Sequence, residues 1–283
     1  MDAPLHRTEN PGYRGRFAPS PTGDLHFGSL VAAVASFLDA RRAGGQWLVR
    51  IEDVDRPRTV PGAAGRILRC LEAYGMHWDG EVLYQSQRDE AYAAALVQLG
   101  DLVYNCGCTR RELGAGEYYP GTCRNGLPPG RLPRSSRLRV PDREIEWTDQ
   151  RLGPQRENLT HSTGDFVLRR ADHVWAYQLA VVVDDGHQGI TGIVRGEDLL
   201  TSTARQIYLQ ERLHLPRPSY RHVPLVLDPA GQKLSKQTKA HPVPLDGSPA
   251  VLAEALRFLG EPLPPTAESI AALWRWAISH HLT

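Results

Sequence analysis

One stretch of the chain decides the fold: Arg16-Phe17-Ala18-Pro19-Ser20-Pro21-Thr22-Gly23-Asp24-Leu25-His26-Phe27-Gly28-Ser29-Leu30. We interpret it as a short buried strand, a turn stiffened by proline, and a helix that begins near Gly28. Pro19 and Pro21 cannot donate a backbone hydrogen bond, so they take the chain rigidly out of the sheet. A flat ligand can approach the backbone at Gly28, and the free N–H groups of a first helical turn favour an anion. The stretch therefore predicts a nucleotide site, in a chain that has no glycine-rich phosphate-binding loop.

The bulk properties are those of a globular chain with a sizeable core. Its 283 residues suit one large or two modest domains, and its net charge of +1 excludes neither an acidic nor a basic partner. No apolar run is long enough to cross a bilayer, and residues 1–11 contain no signal-peptide core. We therefore expect a cytoplasmic protein whose four cysteines, Cys70, Cys106, Cys108 and Cys123, are reduced thiols.

The pattern of apolar residues predicts alternating strands and helices. Strands are predicted at 47–51, 165–170 and 190–194, and helices at 60–74, 88–99, 249–260 and 267–282. The run at 175–185 is almost continuously apolar, which is typical of a strand or a helix that is buried on both sides. Thr201-Ser202-Thr203 is expected to cap a helix that runs through Leu213.

Residues 17–28, with the pattern F-A-P-S-P-T-G-x-L-H-x-G, resemble the first signature of the class I aminoacyl-tRNA synthetases, in the form of the glutamyl branch. Three segments resemble the same branch: R-I-E-D-x-D at 50–55, A-Y-Q-L-A-V-V-V-D-D at 176–185 and V-R-G-E-D-L at 194–199. Lys233-Leu234-Ser235-Lys236-Gln237 is similar to the second signature, Lys-Met-Ser-Lys-Ser, with glutamine in place of the last serine. The resemblance covers nearly the whole chain and implies an α/β fold with the Rossmann-like parallel sheet of a class I synthetase.

The resemblance also implies roles for individual residues. Its implied glutamate-binding residues are Arg16, Phe17, Ala18, Pro19, Ser20, Glu52, Tyr177 and Arg195. Its implied catalytic residues are His26, Lys233 and Lys236. Its implied ATP-binding residues are His26, Gly28 and Lys236.

The chemistry of two of these residues agrees with the implied roles and leaves alternatives open. Glu52 follows an apolar strand, where an acidic group is well placed to hold a ligand ammonium. Asp53 and Asp55, which follow Glu52, fit a solvated acidic loop as well as they fit a role in binding. The guanidinium of Arg195 can bind both oxygens of a carboxylate, or it can form a structural ion pair with Glu197 or Asp198.

Three cysteines that are close in sequence, Cys106, Cys108 and Cys123, indicate a metal site, since zinc favours thiolates. The spacing alone also fits three unrelated thiols, and it leaves the fourth ligand open among Glu117, Tyr118, Tyr119 and water. The glutamyl-queuosine tRNA(Asp) synthetases, short relatives of the glutamyl-tRNA synthetases, hold one zinc with Cys-x-Cys followed by Tyr-x-x-x-Cys. Similarity to that pattern implies Cys106, Cys108, Tyr119 and Cys123 as the ligands here.

We predict four parts of the chain. They are the first half of a Rossmann-like catalytic domain at 1–100, an inserted zinc-bearing subdomain at 101–165, the second half with the Lys-Leu-Ser-Lys loop at 166–236, and C-terminal helices at 237–283. Residues 126–156 mix many arginines with acidic residues, so a solvated mixed-charge surface is expected there, with a phosphate-contacting surface as the alternative. No anticodon-binding domain is expected after Lys236.

The resemblance predicts a ligase that activates L-glutamate with ATP and Mg²⁺ and transfers it to queuosine at the wobble position of tRNA(Asp). We expect a monomer with one Zn²⁺ per chain. One alternative is a truncated glutamyl-tRNA synthetase that charges a tRNA acceptor end, or a related nucleotidyltransferase that acts on a small molecule. Another is a synthetase-like regulator that binds tRNA or glutamate without catalysis, against which the intact His26, Lys233 and Lys236 argue.

Overall fold

The computed structural model describes residues 12–113, 118–227, 242–266 and 268–280. The strands within these ranges are β1 (Arg14–Phe17), β2 (Gln46–Ile51), β3 (Leu83–Tyr84), β4 (Val103–Cys106), β5 (Ser135–Leu138), β6 (Glu144–Asp149), β7 (Gly153–Asn158), β8 (Phe166–Arg169), β9 (Gly192–Gly196) and β10 (Ser219–Val223). The α-helices are α1 (Phe27–Arg42), α2 (Ala63–Ala73), α3 (Asp89–Gln98), α4 (Arg110–Leu113), α5 (Leu159–Ser162), α6 (Tyr177–His187), α7 (Thr203–Arg212), α8 (Pro249–Phe258) and α9 (Ile270–Ser279). A 3-10 helix, Glu197–Ser202, directly precedes α7.

The strands form a mostly parallel sheet in two halves. In one half, β1 pairs with β2 and β2 pairs with β3, all in parallel. In the other half, β9, β10 and β6 pair in parallel, and β7 adds an antiparallel edge. The halves are joined by hydrogen bonds from the Arg14 N–H to the Thr191 hydroxyl (2.8 Å) and from the Thr191 N–H to the Arg14 carbonyl (2.9 Å). The strand order is therefore β3-β2-β1-β9-β10-β6-β7, which confirms the predicted Rossmann-like α/β fold.

Helix α1 follows the opening stretch and begins at Phe27, with His26 as its N-cap residue. Its buried face packs with Trp47 of β2 in the first hydrophobic core. The helix ends at Arg42, and Gly44 then turns the chain with a φ of 62°, which glycine adopts without strain. Because α1 connects the parallel strands β1 and β2, its N-terminus lies towards the carboxyl end of β1.

The apolar run at 175–185 forms a helix, α6, so the structure decides between the two predicted possibilities. The helix begins at Tyr177, and most of its residues are buried. The buried set includes two neighbouring acids, Asp184 and Asp185. Adjacent residues of a helix point in different directions, so Asp184 and Asp185 can each be buried against different neighbours.

The predicted cap of α7 is wrong in its chemistry, although the helix itself is present. The preceding 3-10 helix already gives Ser202 helical backbone angles, with φ −83° and ψ −17°, and its side chain caps no N–H group of α7. The Ser202 hydroxyl instead accepts a hydrogen bond from the Gln178 amide at 3.0 Å.

The chain between 101 and 165 contributes to two sheets. Strands β4, β5 and β8 form a separate antiparallel sheet, whereas β6 joins the main sheet by pairing Asp149 with Tyr220 of β10. One hydrophobic core contains Trp147 from this part of the chain together with Leu179 of α6 and Ile207 of α7. In its packing this segment is continuous with the second half of the catalytic domain, and the predicted domain boundaries stay a prediction.

Three of the seven arginines at 126–156 form ion pairs with described acidic residues: Arg131–Glu112, Arg143–Glu211 and Arg151–Glu197. These pairs are partly exposed, so they contribute little to stability. Just before this stretch, Arg124 pairs with Asp165, whose side chain is buried. The pairs agree with the mixed-charge surface expected from the composition, and the phosphate-contacting alternative stays a prediction.

Helices α8 and α9 confirm the two predicted C-terminal helices, and both pack against α1. Arg42 at the end of α1 donates to the Glu261 carboxylate at 2.9 Å and to the Ala277 carbonyl at 3.1 Å. These bonds attach the C-terminal helices to the catalytic core. Among the helices in the described ranges, none combines the length and apolar character needed to cross a bilayer.

Candidate active site

The charged and hydroxyl side chains that the sequence assigns to glutamate come from four elements. Arg16 lies in β1, Glu52 directly follows β2, Arg195 lies in β9, and Tyr177 is the first residue of α6. The strand order reverses between β1 and β9, and open α/β sheets bind ligands outside the carboxyl ends of their strands at such a point. The topology therefore brings residues that are far apart in sequence to one place.

A row of four buried charges joins β1, β2 and α6. Asp185 accepts from Arg16 Nε at 3.1 Å and from Arg50 Nη1 at 2.8 Å. Arg50 is fully buried and also donates to Glu52 at 3.3 Å. Sequence reasoning missed Arg50 and Asp185, although both lie within quoted motifs, because the motifs gave them no role. The alternation of charge along the row holds Arg16 and Glu52 in fixed positions.

Burial and the neighbouring arginines oppose each other at the two carboxyl groups of this row. Burial raises the pKa of Glu52 above its ordinary value of 4.5, although Arg50 and Arg16 act in the other direction. At Asp185, burial is outweighed by Arg16 and Arg50, so its pKa lies below the ordinary 3.8. Asp185 is therefore a fixed structural anion. An ammonium group placed against Glu52 would favour its ionised form.

The hydroxyl of Tyr177 experiences the same charges. Burial raises its pKa, the negative charge of Glu52 raises it further, and the positive charges of Arg195 and Arg16 oppose the rise. The phenol is therefore protonated at neutral pH and is able to donate a hydrogen bond to a carboxylate. The next residue of α6, Gln178, accepts a hydrogen bond from the Gln206 amide, and Gln206 in turn accepts from Arg195, so the start of α6 is linked to Arg195.

Arg195 is only 5% exposed, and four protein groups hold its guanidinium. The acceptors are His222 Nε2 for Nε (3.0 Å), the Gln206 amide oxygen for Nη1 (2.6 Å), and the Thr203 hydroxyl and Leu199 carbonyl for Nη2 (2.9 and 3.3 Å). An arginine has five N–H donors, and its bonds to described residues use four of them, which leaves one N–H on Nη1 for a ligand.

The alternative of a structural ion pair for Arg195 does not match the structure. Glu197, one of the two carboxylates considered, pairs with Arg151 instead. Among the ion pairs that the described residues form, none includes Arg195. Its acceptors are therefore all uncharged groups, which is unusual for a buried arginine.

The remaining residues of the opening stretch surround the same strand end. The Phe17 side chain belongs to the core, where its ring stacks on Trp47 with centroids 6.4 Å apart. The Pro19 carbonyl accepts from the Glu52 N–H at 3.0 Å, which fixes the loop beside β2. Ala18 and Gly28 are half-buried, and Ser20 is exposed.

His26 caps α1 with its own side chain. The Ser29 N–H donates to His26 Nδ1 at 3.2 Å, and Nε2 lies 3.0 Å from the Ser29 hydroxyl, so in the neutral ring the proton is on Nε2. Lys233 and Lys236 lie outside the described residues. The chain that follows them is described again from Pro242, which forms a β-bridge with His26.

A cavity of about 330 Å³ opens at Asp53, in the loop that follows β2 and Glu52. Its lining includes Asp53 and Ser86, and Asp53 accepts hydrogen bonds from the Ser86 N–H (2.8 Å) and hydroxyl (2.7 Å). Asp55 pairs with Arg58 and Arg170. Asp53 and Asp55 therefore each have structural partners. Such partners are expected neither for the acids of a freely solvated loop nor for acids that serve only to bind a ligand.

The sulfur atoms of Cys106, Cys108 and Cys123 lie within 4.8 Å of one another. Cys108 Sγ and Cys123 Sγ are 3.6 Å apart, and the Tyr119 hydroxyl lies 3.4 Å from Cys106 Sγ. A tetrahedral zinc with Zn–S bonds of about 2.3 Å needs its sulfurs about 3.8 Å apart, so this donor set fits the metal. Tyr118 is 49% exposed, and Glu117 lies outside the described residues, whereas the buried Tyr119 places its hydroxyl against Cys106.

Local structure fixes Tyr119 beside this cluster. The Tyr119 N–H donates to the Thr163 carbonyl at 2.9 Å, and a Cβ on Gly164 would lie 2.2 Å from the Tyr119 carbonyl oxygen, so only glycine fits there. Burial raises the pKa of Cys106, but hydrogen bonds, chiefly with Tyr119, lower it to about 7. Burial and the neighbouring thiols raise the pKa of Cys108 to about 11, so Cys106 ionises more readily than Cys108. Burial raises the pKa of Tyr119, so its hydroxyl stays neutral.

Comparison with known proteins gives one family and close relatives. The family model described as the catalytic domain of class I tRNA synthetases (E and Q) matches residues 13–117 and 131–250. A protein from Dechloromonas aromatica named glutamyl-Q tRNA(Asp) synthetase is 56% identical over 284 residues, covering 96% of this chain and 94% of that protein. A protein of the same name from Thiobacillus denitrificans is 59% identical over 277 residues, covering 94% of this chain and 92% of that protein.

The structure is similar to solved glutamate-tRNA synthetases. The enzyme from Elizabethkingia anophelis matches with a TM-score of 0.78 at 26% identity, covering 95% of this chain. A glutamate tRNA ligase from Elizabethkingia meningosepticum, in complex with its amino acid, matches with a TM-score of 0.77 at 26% identity, also over 95% of this chain. The chain spans 65% and 64% of the length of these two proteins.

Proposed function

Because the chain belongs to the class I tRNA synthetases for glutamate and glutamine, we propose that it activates L-glutamate with ATP and transfers the glutamyl group to queuosine at the wobble position of tRNA(Asp). The observations that support the proposal are the row of buried charges that joins Arg16 to Glu52, and the contacts through Gln206 that join Arg195 to Gln178, the residue after Tyr177. Glutamate has two carboxylates and one ammonium. Two guanidinium groups and a phenol suit the carboxylates, and the Glu52 carboxylate suits the ammonium.

In the first step, a carboxylate oxygen of glutamate attacks the α-phosphorus of ATP, and the bond to pyrophosphate breaks. Such displacements depend on positioning and charge neutralisation rather than on a protein nucleophile. His26 and the first turn of α1, with Gly28, would bind the phosphates. Lys236, supported by Lys233, would neutralise the departing pyrophosphate, and Mg²⁺ would add positive charge when bound.

In the second step, a hydroxyl attacks the carbonyl of the glutamyl-adenylate, an ester bond forms, and AMP leaves. The cyclopentene diol of queuosine and the ribose of a tRNA acceptor end are both competent hydroxyl donors. We favour queuosine, because the relatives named glutamyl-Q tRNA(Asp) synthetase match almost their full length and because the Cys-x-Cys and Tyr-x-x-x-Cys pattern is present. The catalytic core would then contact the anticodon arm of the tRNA.

The test is an incubation with ATP, labelled L-glutamate and tRNA that either contains or lacks queuosine. We expect label on tRNA(Asp) with queuosine and none on tRNA without it. A control tRNA lacks the 3′-terminal adenosine, which is removed by trimming. Periodate is not suitable for this control, because it would cleave the queuosine diol together with the 3′-terminal ribose diol. Loss of label after trimming would indicate charging of the acceptor end, which is the second candidate function.

We propose that Cys106, Cys108, Tyr119 and Cys123 hold a structural Zn²⁺. Because protein donors would fill all four positions of a tetrahedral ion, the metal would fix the fold of this segment and would not take part in the reaction. We expect about one zinc per chain by elemental analysis of protein purified without added metal. The variant Cys106→Ser should lose most of it. Cys70→Ser is the matched control, because Cys70 is buried in the other core and should keep the metal.

The variant Lys236→Ala should slow adenylate formation on the order of a hundredfold, because one group that stabilises developing charge is lost. The KM for glutamate should change little, since Lys236 is assigned to the phosphates. The measurement is glutamate-dependent exchange of labelled pyrophosphate into ATP. Equal losses in rate and in glutamate affinity would remove Lys236 from its assigned role.

A further inference from the structure

Arg195 differs from the other two buried arginines of the site in the kind of partner that holds it. Arg16 and Arg50 both pair with the Asp185 carboxylate. The guanidinium of Arg195 is held by an imidazole, an amide, a hydroxyl and a carbonyl, none of which carries a negative charge. The Tyr220 ring also faces it, with the guanidinium carbon 5.5 Å from the ring centre.

We propose that Asp149 and His222 are positioning residues for Arg195, and that together with Gln206 they hold its guanidinium on uncharged acceptors, so that a carboxylate of the bound amino acid is the first anion to contact it directly. The inference rests on the proposed function and deepens it. It explains how the site favours a ligand that brings a carboxylate to Arg195.

The charge balance of the site supports this inference. The positive charges of Arg16 and Arg50 are compensated by the negative charges of Asp185 and Glu52. Asp149 is a further anion, but it lies on the far side of the neutral His222 ring, so no carboxylate of the described residues contacts the Arg195 guanidinium directly. A carboxylate of glutamate can form that direct contact, whereas the side-chain amide of glutamine brings no charge to it.

The role of His222 follows from the direction of its hydrogen bonds. His222 lies directly opposite Arg195 in the β9–β10 register. Arg195 Nε donates to His222 Nε2, so the ring proton is on Nδ1, which donates to Asp149 at 2.7 Å. A protonated ring would have no acceptor for Arg195. Burial and the charge of Arg195 both lower the pKa of His222, which keeps the ring neutral.

Asp149 is itself fixed by the backbone. Its carboxylate accepts from the N–H groups of Arg151 (3.0 Å), Leu152 (2.9 Å) and His222 (3.1 Å). It is the last residue of β6, so a strand of the predicted insert contributes to the orientation of Arg195. Asp149 therefore selects the ring tautomer, and the ring in turn positions the guanidinium.

The sharpest test is Gln206→Glu, which introduces a carboxylate of nearly the same shape next to Arg195. Gln206 Nε2 donates to the Gln178 amide oxygen at 2.9 Å, and rotation of the Gln178 amide would satisfy the new carboxylate. Because the protein then supplies the counter-charge, the KM for glutamate in pyrophosphate exchange should rise about tenfold or more, with little change in kcat or in the KM for ATP. Gln210→Glu is the matched control, because Gln210 is equally buried one turn along α7 but contacts Tyr220.

A second pair of variants tests His222 without adding a charge. His222→Leu removes the acceptor for Arg195 Nε and should also raise the KM for glutamate about tenfold. His222→Gln retains an oxygen acceptor and should recover part of the lost affinity. An unchanged KM in Gln206→Glu, or equal losses in His222→Leu and His222→Gln, would overturn the inference. Absence of glutamate-dependent exchange in the wild-type chain would overturn the proposed function instead.

Discussion

The variant Arg195→Ala is expected to bind glutamate about 30-fold to several thousand-fold more weakly than the wild-type chain, because truncating one member of a buried charge pair costs about 2 to 5 kcal/mol. The loss should appear in the KM for glutamate, since the contact exists in the ground state and in the transition state alike. The KM for ATP should change little. The measurement is glutamate-dependent pyrophosphate exchange, with both substrates varied.

The control for this variant is Arg221→Ala. Arg221 lies on the neighbouring strand β10 and pairs with Asp39 of α1, and it has no proposed role in glutamate binding. We expect its KM for glutamate to stay close to that of the wild-type chain. If Arg195→Ala left the KM for glutamate unchanged while the protein stayed folded, Arg195 would have no place in the site.

The variant Asp185→Ala is expected to lower the free energy of unfolding by about 3 to 5 kcal/mol, because it leaves buried cations without their partner. Asp185 is the carboxylate that Arg16 and Arg50 share, and the side chains of all three are at most 5% exposed. The measurement is denaturation by urea at neutral pH. Glu211→Ala is the control: its pair with Arg143 is partly exposed, so about 0 to 1 kcal/mol is expected.

The difference in the free energy of unfolding between wild type and Asp185→Ala is expected to decrease at acidic pH. The pKa of Asp185 in the folded state lies below its ordinary value of 3.8, so its stabilisation is fully present above that value. The gap in stability between wild type and Asp185→Ala should be constant from neutral pH down to about 4. It should shrink only as the pH falls further, through the folded pKa. A gap that closed near pH 6 would contradict the assignment of Asp185 as the shared anion.

The fold was predictable because the motifs lie at the ends of parallel strands. The signature at 17–28 predicts a strand, a turn and a helix, and the structure contains all three. Glu52 and Arg195 were assigned to glutamate because each comes at the end of an apolar strand, where ligands bind in this type of sheet, and their roles stay predictions. Tyr177 was assigned from the family pattern alone, since apolar periodicity left its segment open between strand and helix.

The residues that position the site were not predictable from the sequence. Asp149 and His222 are distant in the chain, and their contact depends on the pairing of β6 with β10, which no spacing reveals. Gln206 is an amide on a helix, a residue type that signals no particular chemistry. Arg50 was visible in a motif, but its partner Asp185 is identifiable only once the segment is known to be helical.

The neighbouring acids of α6 constrain how sequences of this kind can vary. Asp185 meets Arg16 and Arg50, whereas Asp184 meets Tyr92 at 2.6 Å and Arg88 at 3.1 Å. Deleting one residue earlier in the helix would rotate everything after it by about 100°, move Asp185 to the place of Asp184 and leave Gly186 opposite Arg16 and Arg50. The length of this helix should therefore be under stronger constraint than its exposed side chains.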